Sequence, residues 1–399
     1  MEVTNLDHLG IVAGLIDEIG LVEQINELVV EQPGEKVSPG HVVKAMILNG
    51  LGLFSSPLYL FPKFFEGKPT EHLIGEGIEA EHLNDDRLGR VLDKLYLTGL
   101  EDIFLSITLK AIQQFSIGVE SIHLDSSSLS VEGEYENTLT EEANVEINSE
   151  QGEKLNPLQQ IQITYGYSRD KRPDLKQFMV DLICSGDGDI PVFLRTGSGN
   201  ESDQKVFPEL FKQFRNQVNF DSLMVADSAL YTAENLKQMQ DWKWLTRVPF
   251  RLKPAQTLAR QIKSSEMIPS VLPGYYYSIY QRTYGGFRFL KDPMFLADSI
   301  FIKSPERIQA MVLILGLCLL IYNLGQRELR SALVRRGEMV KNQLGKETKF
   351  PTLRWIFQQF QAVHLLKCNG EKEISNLTEE RLNLLQLFPK PCQQYYLLV

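Results

Sequence analysis

The feature that most limits how this 399-residue chain can fold is a change of apolar periodicity near residue 119. Before it, apolar residues such as Leu9, Val12 and Ile16 recur at helical spacing, which predicts a series of helices. After it, the pattern predicts strands over residues 121–126, 160–165, 177–183, 190–194, 222–227 and 244–249, and helices over residues 203–217 and 233–239. This order predicts an α+β fold whose mixed sheet carries helices on its faces.

Both ends of the chain are predicted to be helical. Ser38-Pro39 and Asn84-Asp85-Asp86 are typical helix starts, and acidic residues 1–115 fit a plain helical bundle better than a DNA-binding helix-turn-helix. A long apolar helix begins after Ser304, and a second helix is predicted over residues 352–366. We therefore expect an N-terminal helical domain (1–115), a core (116–300) and a helical part that packs on the core (301–399).

No segment predicts a membrane or secretory location. The longest apolar run, residues 310–322, is shorter than the roughly 20 residues of a spanning helix, so it is predicted to be a buried core helix. The N-terminus is acidic and lacks an apolar signal segment. The four cysteines are scattered, as expected in a reducing compartment. These features predict a cytoplasmic protein with no membrane partner.

The charge of the chain is unevenly distributed. The net charge of −10 by itself argues against a nucleic-acid-binding protein. However, residues 247–399 contain 22 Lys and Arg against 11 Asp and Glu, whereas residues 1–246 contain 19 against 40. This excess of positive charge allows an anionic partner near the C-terminal end, although a solvated helical surface explains it equally well.

Two aspartates are candidates for metal chemistry. Asp125 and Asp227 each follow an apolar strand pattern and precede serines or other small residues. Carboxylates at strand ends of one sheet can bind a pair of hard divalent cations, which activate a nucleophile and stabilise a leaving oxygen in phosphoryl transfer. Turn formation or helix capping is the more usual role of Asp at a strand exit, so both interpretations stay open at this point.

Other polar residues are weaker candidates. His123 lies two residues before Asp125 and is either a metal ligand or, more commonly, a packed strand histidine. The turn that contains Arg169, Lys171 and Arg172 is either a phosphate contact or an ordinary hairpin loop. Glycine-rich phosphate-binding and dinucleotide-binding motifs are absent from the sequence, so no small-molecule cofactor is predicted.

Several segments in this order resemble insertion-sequence DDE transposases of the IS-four type. They are residues 123–128 (HLDSSS), 165–177 (YGYSRDKRPDLKQ), 225–231 (VADSALY), 286–293 (GFRFLKDP), 304–308 (SPERI) and 325–330 (GQRELR). The resemblance implies a ribonuclease-H-like core. It also implies cleavage and joining of transposon-end DNA, with Asp125 and Asp227 as catalytic residues that bind Mg²⁺ or Mn²⁺. DNA is the implied partner, bound by a homo-oligomer, and we expect contacts from Arg169, Lys171, Arg172, Arg247, Arg288 and Lys291.

The sequence departs from that family at its third carboxylate. The family has a glutamate seven residues before the lysine that corresponds to Lys291, and this chain has Tyr284 there. The residues before Gly286 run directly into Phe287, which resembles an in-frame internal deletion near residues 285–286. A neutral tyrosine cannot replace a carboxylate ligand, so we expect catalysis to be impaired. Glu306 and Glu328 are the possible substitutes, although both lie farther along an apolar helix.

Three functions follow from these observations. The first is an insertion-sequence transposase with impaired DNA cleavage and strand transfer. The second is a non-catalytic DNA-binding or dimerising remnant of such an enzyme, and the third is a metal-dependent nuclease unrelated to transposition. A glutamate within reach of Asp125 and Asp227 would favour the first, and its absence beside a basic groove would favour the second.

Overall fold

The N-terminal part of the computed structural model is a set of packed helices that follows one short strand. The structure describes residues 2–30, 34–133, 135, 160–167, 172–218, 220–249, 251–253, 256 and 304–398. The first elements are β1 (Glu2–Asn5), α1 (Leu9–Glu18), α2 (Leu21–Leu28), α3 (Pro39–Gly50), α4 (Phe61–Phe65), α5 (Thr70–Leu73), α6 (Asp85–Thr98) and α7 (Leu100–Phe115), with 3₁₀ turns at Leu58–Leu60 and Ala80–Leu83. Both predicted helix starts are confirmed, because the side chains of Ser38 and Asn84 accept hydrogen bonds from the backbone N–H groups of His41 and Arg87.

A mixed five-stranded sheet forms the centre of the chain. Its elements are β2 (Ser121–Val131), β3 (Lys176–Ser185), β4 (Pro191–Ser198), α8 (Asp203–Gln217), β5 (Leu223–Ala226), a 3₁₀ turn (Ser228–Leu230), α9 (Ala233–Gln238) and β6 (Trp244–Thr246). The strand order is β4-β3-β2-β5-β6. The pairs β4-β3 and β3-β2 are antiparallel, and the pairs β2-β5 and β5-β6 are parallel. The predicted fold class, a ribonuclease-H-like mixed sheet flanked by helices, is confirmed.

The C-terminal part is built on one long apolar helix. Its elements are α10 (Pro305–Arg336), β7 (Val340–Lys341), β8 (Glu347–Thr348), α11 (Leu353–Gln359), β9 (His364–Cys368), β10 (Glu371–Ser375), α12 (Glu379–Leu385) and α13 (Lys390–Leu397). By length and composition α10 could cross a membrane, but 94% of its most apolar window is buried inside the protein. The prediction that residues 310–322 form a buried core helix is therefore confirmed.

Several predicted elements differ from the structure. Residues 160–165 do not form a regular strand, since they pair with β3 only at the Thr164–Gln177 bridge. The helix predicted over residues 352–366 ends at Gln359, because the positive φ of Ala362 (62°) turns the chain into β9. Strand β9 then pairs with β1 and β10, so the terminal helical parts also contain a three-stranded sheet that the sequence did not predict.

The two faces of the central sheet pack on different helices. On one face, Ile122, Leu124 and Ile183 belong to an apolar cluster that includes residues of α8. On the other face, Leu182 and Cys184 belong to a larger cluster that joins the N-terminal helices, α10 and the C-terminal helices. The described helices before β2 and after β6 therefore share one apolar core, which packs on this second face of the sheet.

The imidazole of His8 is a buried titratable group inside this larger core. Its Nε2 lies 2.9 Å from the carbonyl oxygen of Leu51, and its ring stacks on Phe357 at a centroid distance of 4.3 Å. Burial disfavours the charged ring and lowers the pKa of His8 from 6.5 to about 4. His8 is consequently neutral in the folded protein at neutral pH.

We expect this histidine to make folding pH-dependent. Between about pH 6.5 and pH 4 the unfolded chain binds a proton at residue 8 and the folded chain does not, so stability falls as the pH falls. The expected loss from pH 7 to pH 5 is about 2 kcal/mol. Urea unfolding at both pH values measures it, and the His8→Gln variant, which cannot titrate there, should show a correspondingly smaller loss. Equal pH dependence of the two proteins would contradict the assignment.

Candidate active site

Asp125 lies in the middle of a strand rather than at its end. Strand β2 continues from Ser121 to Val131, so the prediction that Asp125 closes a strand is wrong. The strand continues because residues 126–131 remain paired with β3 along their full length. The Asp125 carboxylate accepts a hydrogen bond from the backbone N–H of Ser126 at 2.9 Å, and the residue is half-buried.

Asp227 does follow a strand end, as predicted. Strand β5 ends at Ala226, and Asp227 has an extended backbone (φ −72°, ψ −175°) before the 3₁₀ turn of residues 228–230. Its Oδ1 accepts a hydrogen bond from the backbone N–H of Ala229 at 2.8 Å, and its side chain is exposed. Asp227 therefore caps a turn, and one of its two carboxylate oxygens is engaged by the backbone.

The parallel pairing of β2 and β5 brings the two aspartates to the same level of the sheet. Leu124 pairs with Ala226, and the next residue on each strand is an aspartate. Leu124 and Ala226 both belong to the α8-side cluster, and side chains alternate along extended backbone. Asp125 and Asp227 therefore lie on the opposite face, which is the face that packs on α10. Two carboxylates on adjacent strands of one face are a suitable oxygen-donor set for a hard divalent cation.

A third ligand for this pair is not found in the described part of the chain. Within it, no group of three or more His, Cys, Asp or Glu residues could bind a metal ion. His123 shares the face of Asp125, and its Nε2 lies 3.2 Å from the hydroxyl of Ser121. Tyr284, the residue at the predicted glutamate position, lies outside the described residues.

The two possible substitutes, Glu306 and Glu328, have other partners. The Glu306 carboxylate accepts hydrogen bonds from Gln160 and Ser304 at the start of α10. Glu328 pairs with Arg327 at 2.7 Å, and burial raises the pKa of Glu328 above its ordinary value. Since neither joins Asp125 and Asp227 in a three-ligand group of described residues, the structure gives no support for substitution.

The predicted basic residues are only partly described. Arg172 forms an ion pair with Asp174 at 2.8 Å in an exposed turn, which fits the hairpin-loop interpretation. The guanidinium of Arg247 lies 3.4 Å from the hydroxyl of Ser228, directly after Asp227. Arg169, Lys171, Arg288 and Lys291 lie outside the described residues.

A buried ionic network that begins at Ser126, the residue after Asp125, was missed by the sequence analysis. Asp181 of β3 is 2% exposed, pairs in register with Ser126 and accepts hydrogen bonds from the Ser126 hydroxyl and from Arg195, the latter at 2.8 Å. Arg195 also pairs with Glu201 at 2.9 Å. Burial raises the pKa of Asp181, and the positive charge of Arg195 opposes that rise. The available signal was a carboxylate inside the apolar run of residues 178–184.

Two parts of the chain match known protein families. Residues 122–279, which include both aspartates, match the family model described as the transposase DDE domain. This part of the chain is thus similar to a transposase DDE domain. Residues 1–109 match the family described as Domain of unknown function (DUF4277). No curated protein and no solved structure matches the chain.

The family match supports transposase function. It covers β2 to β6 of the central sheet and thus accounts for the ribonuclease-H-like fold. Transposase DDE domains generally use divalent metal ions, which agrees with the carboxylate chemistry of the Asp125–Asp227 pair.

Proposed function

We propose that this chain is an insertion-sequence transposase of the IS-four type whose DNA cleavage and strand transfer are impaired. It binds transposon-end DNA as a homo-oligomer in the cytoplasm. The observation that carries the proposal is the register of β2 and β5, which puts two aspartates at one level and on one face of the sheet. The transposase DDE match over the same residues supports it.

Asp125 and Asp227 are the residues that would hold Mg²⁺ or Mn²⁺. Both are oxygen donors, and in each case the backbone N–H bond described above engages one carboxylate oxygen, a contact that orients the group. Such ions would supply activation of the attacking oxygen and stabilisation of the leaving oxygen. The carboxylates of Asp125 and Asp227 would hold the ions at the end of β5. Arg247 lies close to the turn that Asp227 caps.

The proposed loss of catalysis follows from the number of carboxylate ligands that remain. A two-ion site in this family takes a third carboxylate, and Tyr284 at that position is neutral at neutral pH. An internal deletion near residues 285–286 accounts for the loss, and it leaves the three proposed parts (1–115, 116–300 and 301–399) in order. Removal of one member of a cooperating catalytic set typically lowers the rate by orders of magnitude.

The same basic residues that the resemblance implies are proposed to contact DNA. They are Arg169, Lys171, Arg172, Arg247, Arg288 and Lys291. Arg247 has the most direct structural support, because its guanidinium lies beside the Asp227 turn. A cation at this place would position a phosphate next to the carboxylate pair.

Strand cleavage and Mn²⁺ binding test the proposal together. The substrate is duplex DNA that carries the inverted repeats flanking the gene, incubated with Mg²⁺ or Mn²⁺. We expect the full chain to bind this DNA without detectable cleavage. We also expect weak Mn²⁺ binding, followed as loss of the electron paramagnetic resonance signal of free Mn²⁺, that disappears in Asp227→Ala and persists in the matched control Asp221→Ala, an exposed aspartate two residues before β5.

Each alternative outcome has a distinct meaning. Cleavage by the parent chain that is abolished in Asp227→Ala would overturn the proposed impairment and show that another group supplies the third ligand. Cleavage that survives in Asp227→Ala would contradict the assigned site. DNA binding with no Mn²⁺ binding would favour the alternative function, a non-catalytic DNA-binding or dimerising remnant.

A further inference from the structure

A small hairpin after α10 has features that the proposed active site does not use. We name residues 334–350 the basic hairpin; they comprise the last turn of α10, strands β7 and β8, the turn between the strands and the residues up to Phe350. We propose that the basic hairpin contacts the phosphate backbone of duplex DNA through Lys341, Lys346 and Lys349. This inference rests on the proposed function, and it adds a contact surface distinct from the residues around the aspartates.

The tip of the basic hairpin is held in one conformation without packing against the core. The side-chain oxygen of Asn342 accepts hydrogen bonds from the backbone N–H groups of Leu344, at 2.9 Å, and Lys346, at 3.0 Å. The N–H of Gly345 donates to the carbonyl of Asn342 at 2.9 Å, and Gly345 has the positive φ (72°) that such a tight turn requires. The turn is therefore preorganised by its own polar groups.

The base of the basic hairpin is fixed to the protein on both sides. The indole Nε1 of Trp355 donates a hydrogen bond to the carbonyl of Lys341 at 2.8 Å. Nε of Arg330 donates to the carbonyl of Pro351 at 3.0 Å. These two contacts hold the ribbon at a defined position relative to α10 and α11, so its tip projects from a rigid base.

The basic hairpin exposes apolar side chains that folding does not bury. Leu344 is 79% exposed, Phe350 66%, Val334 53% and Met339 52%. Single exposed apolar residues are ordinary, but four within 17 residues form a group typical of interaction sites. The ordered turn and these exposed apolar side chains together favour an interaction surface.

The charge of the basic hairpin identifies the partner as an anion. It contains five cationic residues (Arg335, Arg336, Lys341, Lys346 and Lys349) and two acidic ones (Glu338 and Glu347), in a chain whose net charge is −10. Lys341 pairs in register with Glu347, yet among the described residues none of the three lysines forms an ion pair. Unpaired lysines on an exposed ribbon are suited to phosphate contacts.

The size of the basic hairpin favours DNA over a second copy of the chain. Its 17 residues are fewer than the roughly 20–30 residues per partner that a stable protein interface takes. A two-stranded ribbon does fit a DNA groove, where apolar side chains contact the bases or sugars and lysines contact the flanking phosphates.

Salt-dependent DNA binding by the full chain tests this inference. The probe is a mixed-sequence duplex oligonucleotide, and affinity is measured by fluorescence anisotropy over a series of salt concentrations. The triple variant Lys341→Ala, Lys346→Ala, Lys349→Ala should bind roughly tenfold more weakly at low salt, and its slope of log K against log salt should be smaller by about 2–3, close to 0.9 for each lost phosphate contact. Leu344→Ser should weaken binding with the slope unchanged.

The control is Lys372→Ala, which removes an exposed lysine of β10 outside the basic hairpin. Equal affinity and slope for the triple variant and this control would overturn the inference and leave the proposed function standing. Absence of parent-chain binding to this duplex alone would overturn the inference, and absence of binding to the inverted-repeat duplex as well would overturn the proposed function too. If Leu344→Ser instead changes the oligomeric state, measured by sedimentation velocity, with DNA binding intact, the surface binds a second copy and the inference is wrong.

Discussion

Replacing Arg195 by methionine is expected to lower the free energy of unfolding by about 3–5 kcal/mol, because it leaves the buried carboxylate of Asp181 without its cation. Asp181 is 2% exposed, and its carboxylate accepts hydrogen bonds from Arg195, at 2.8 Å, and from the hydroxyl of Ser126. Methionine retains most of the buried length of the arginine side chain, so the effect reports the charge rather than a cavity. Urea unfolding at pH 7 measures the loss.

The pH dependence of this loss distinguishes charge from packing. Burial already raises the pKa of Asp181, and removal of Arg195 raises it further. As the pH falls, Asp181 becomes protonated in the folded variant and no longer needs a cation, so the difference from the parent chain should shrink. The double variant Asp181→Asn, Arg195→Met should recover much of the loss at pH 7. A loss that is the same at every pH would contradict the electrostatic explanation.

Gly14→Ala is expected to destabilise the protein by about 3 kcal/mol, the upper end of the usual range for overpacking. A Cβ atom at Gly14 of α1 would lie 2.3 Å from both Cα and N of Cys392 in α13. Backbone atoms cannot move aside as a side chain can, so α13 would have to separate from α1. Thermal unfolding measures the effect, together with hydrogen exchange of the amides in residues 390–397, which should become faster.

Gly89→Ala is the matched control for that substitution. Gly89 also lies inside a helix, α6, but the three atoms nearest to a Cβ there would be guanidinium atoms of Arg307, the first at 3.0 Å. The guanidinium pairs with Asp93, but this pair is about 42% exposed and its loss would cost at most ~1 kcal/mol. Alanine is the better helix former by up to ~1 kcal/mol, so the net change in stability should be small. Equal destabilisation by both substitutions would show that the close approach of α1 and α13 is not the cause.

Local signals predicted much of the fold. The helix over residues 203–217 was predicted at its observed bounds, and Ser38 and Asn84 were recognised as caps, because these features depend on neighbouring residues. The pairing of β1 with β9 could not be predicted, since residues 2–5 meet partners more than 350 positions away. The first residues of β9 also continue the helical spacing of apolar residues over 352–366, so the local sequence is equally compatible with a helix.

The candidate site was predicted in part for similar reasons. Asp227 was identified because it follows a clear apolar strand. The full length of β2 was missed, because Ser126, Ser127 and Ser128 are polar and resemble a turn, although the structure buries them. Their burial depends on tertiary partners such as Asp181, which accepts the Ser126 hydroxyl. Asp125 and Asp227 are about 100 residues apart, and this separation does not reveal how β2 and β5 are aligned. Only the pairing of the two strands defines their register.

The pairing of β1 with β9, and of α1 with α13, has a consequence for biosynthesis. Strand β1 and helix α1 leave the ribosome well before their partners β9 and α13, because at ~5–20 residues per second the intervening 360 or so residues take tens of seconds to translate. During that time β1 lacks its strand partner β9, and the side of α1 that carries Gly14 lacks its helix partner α13. These two surfaces of a nascent chain would therefore stay exposed, and open to chaperone binding, until β9 and α13 have been made.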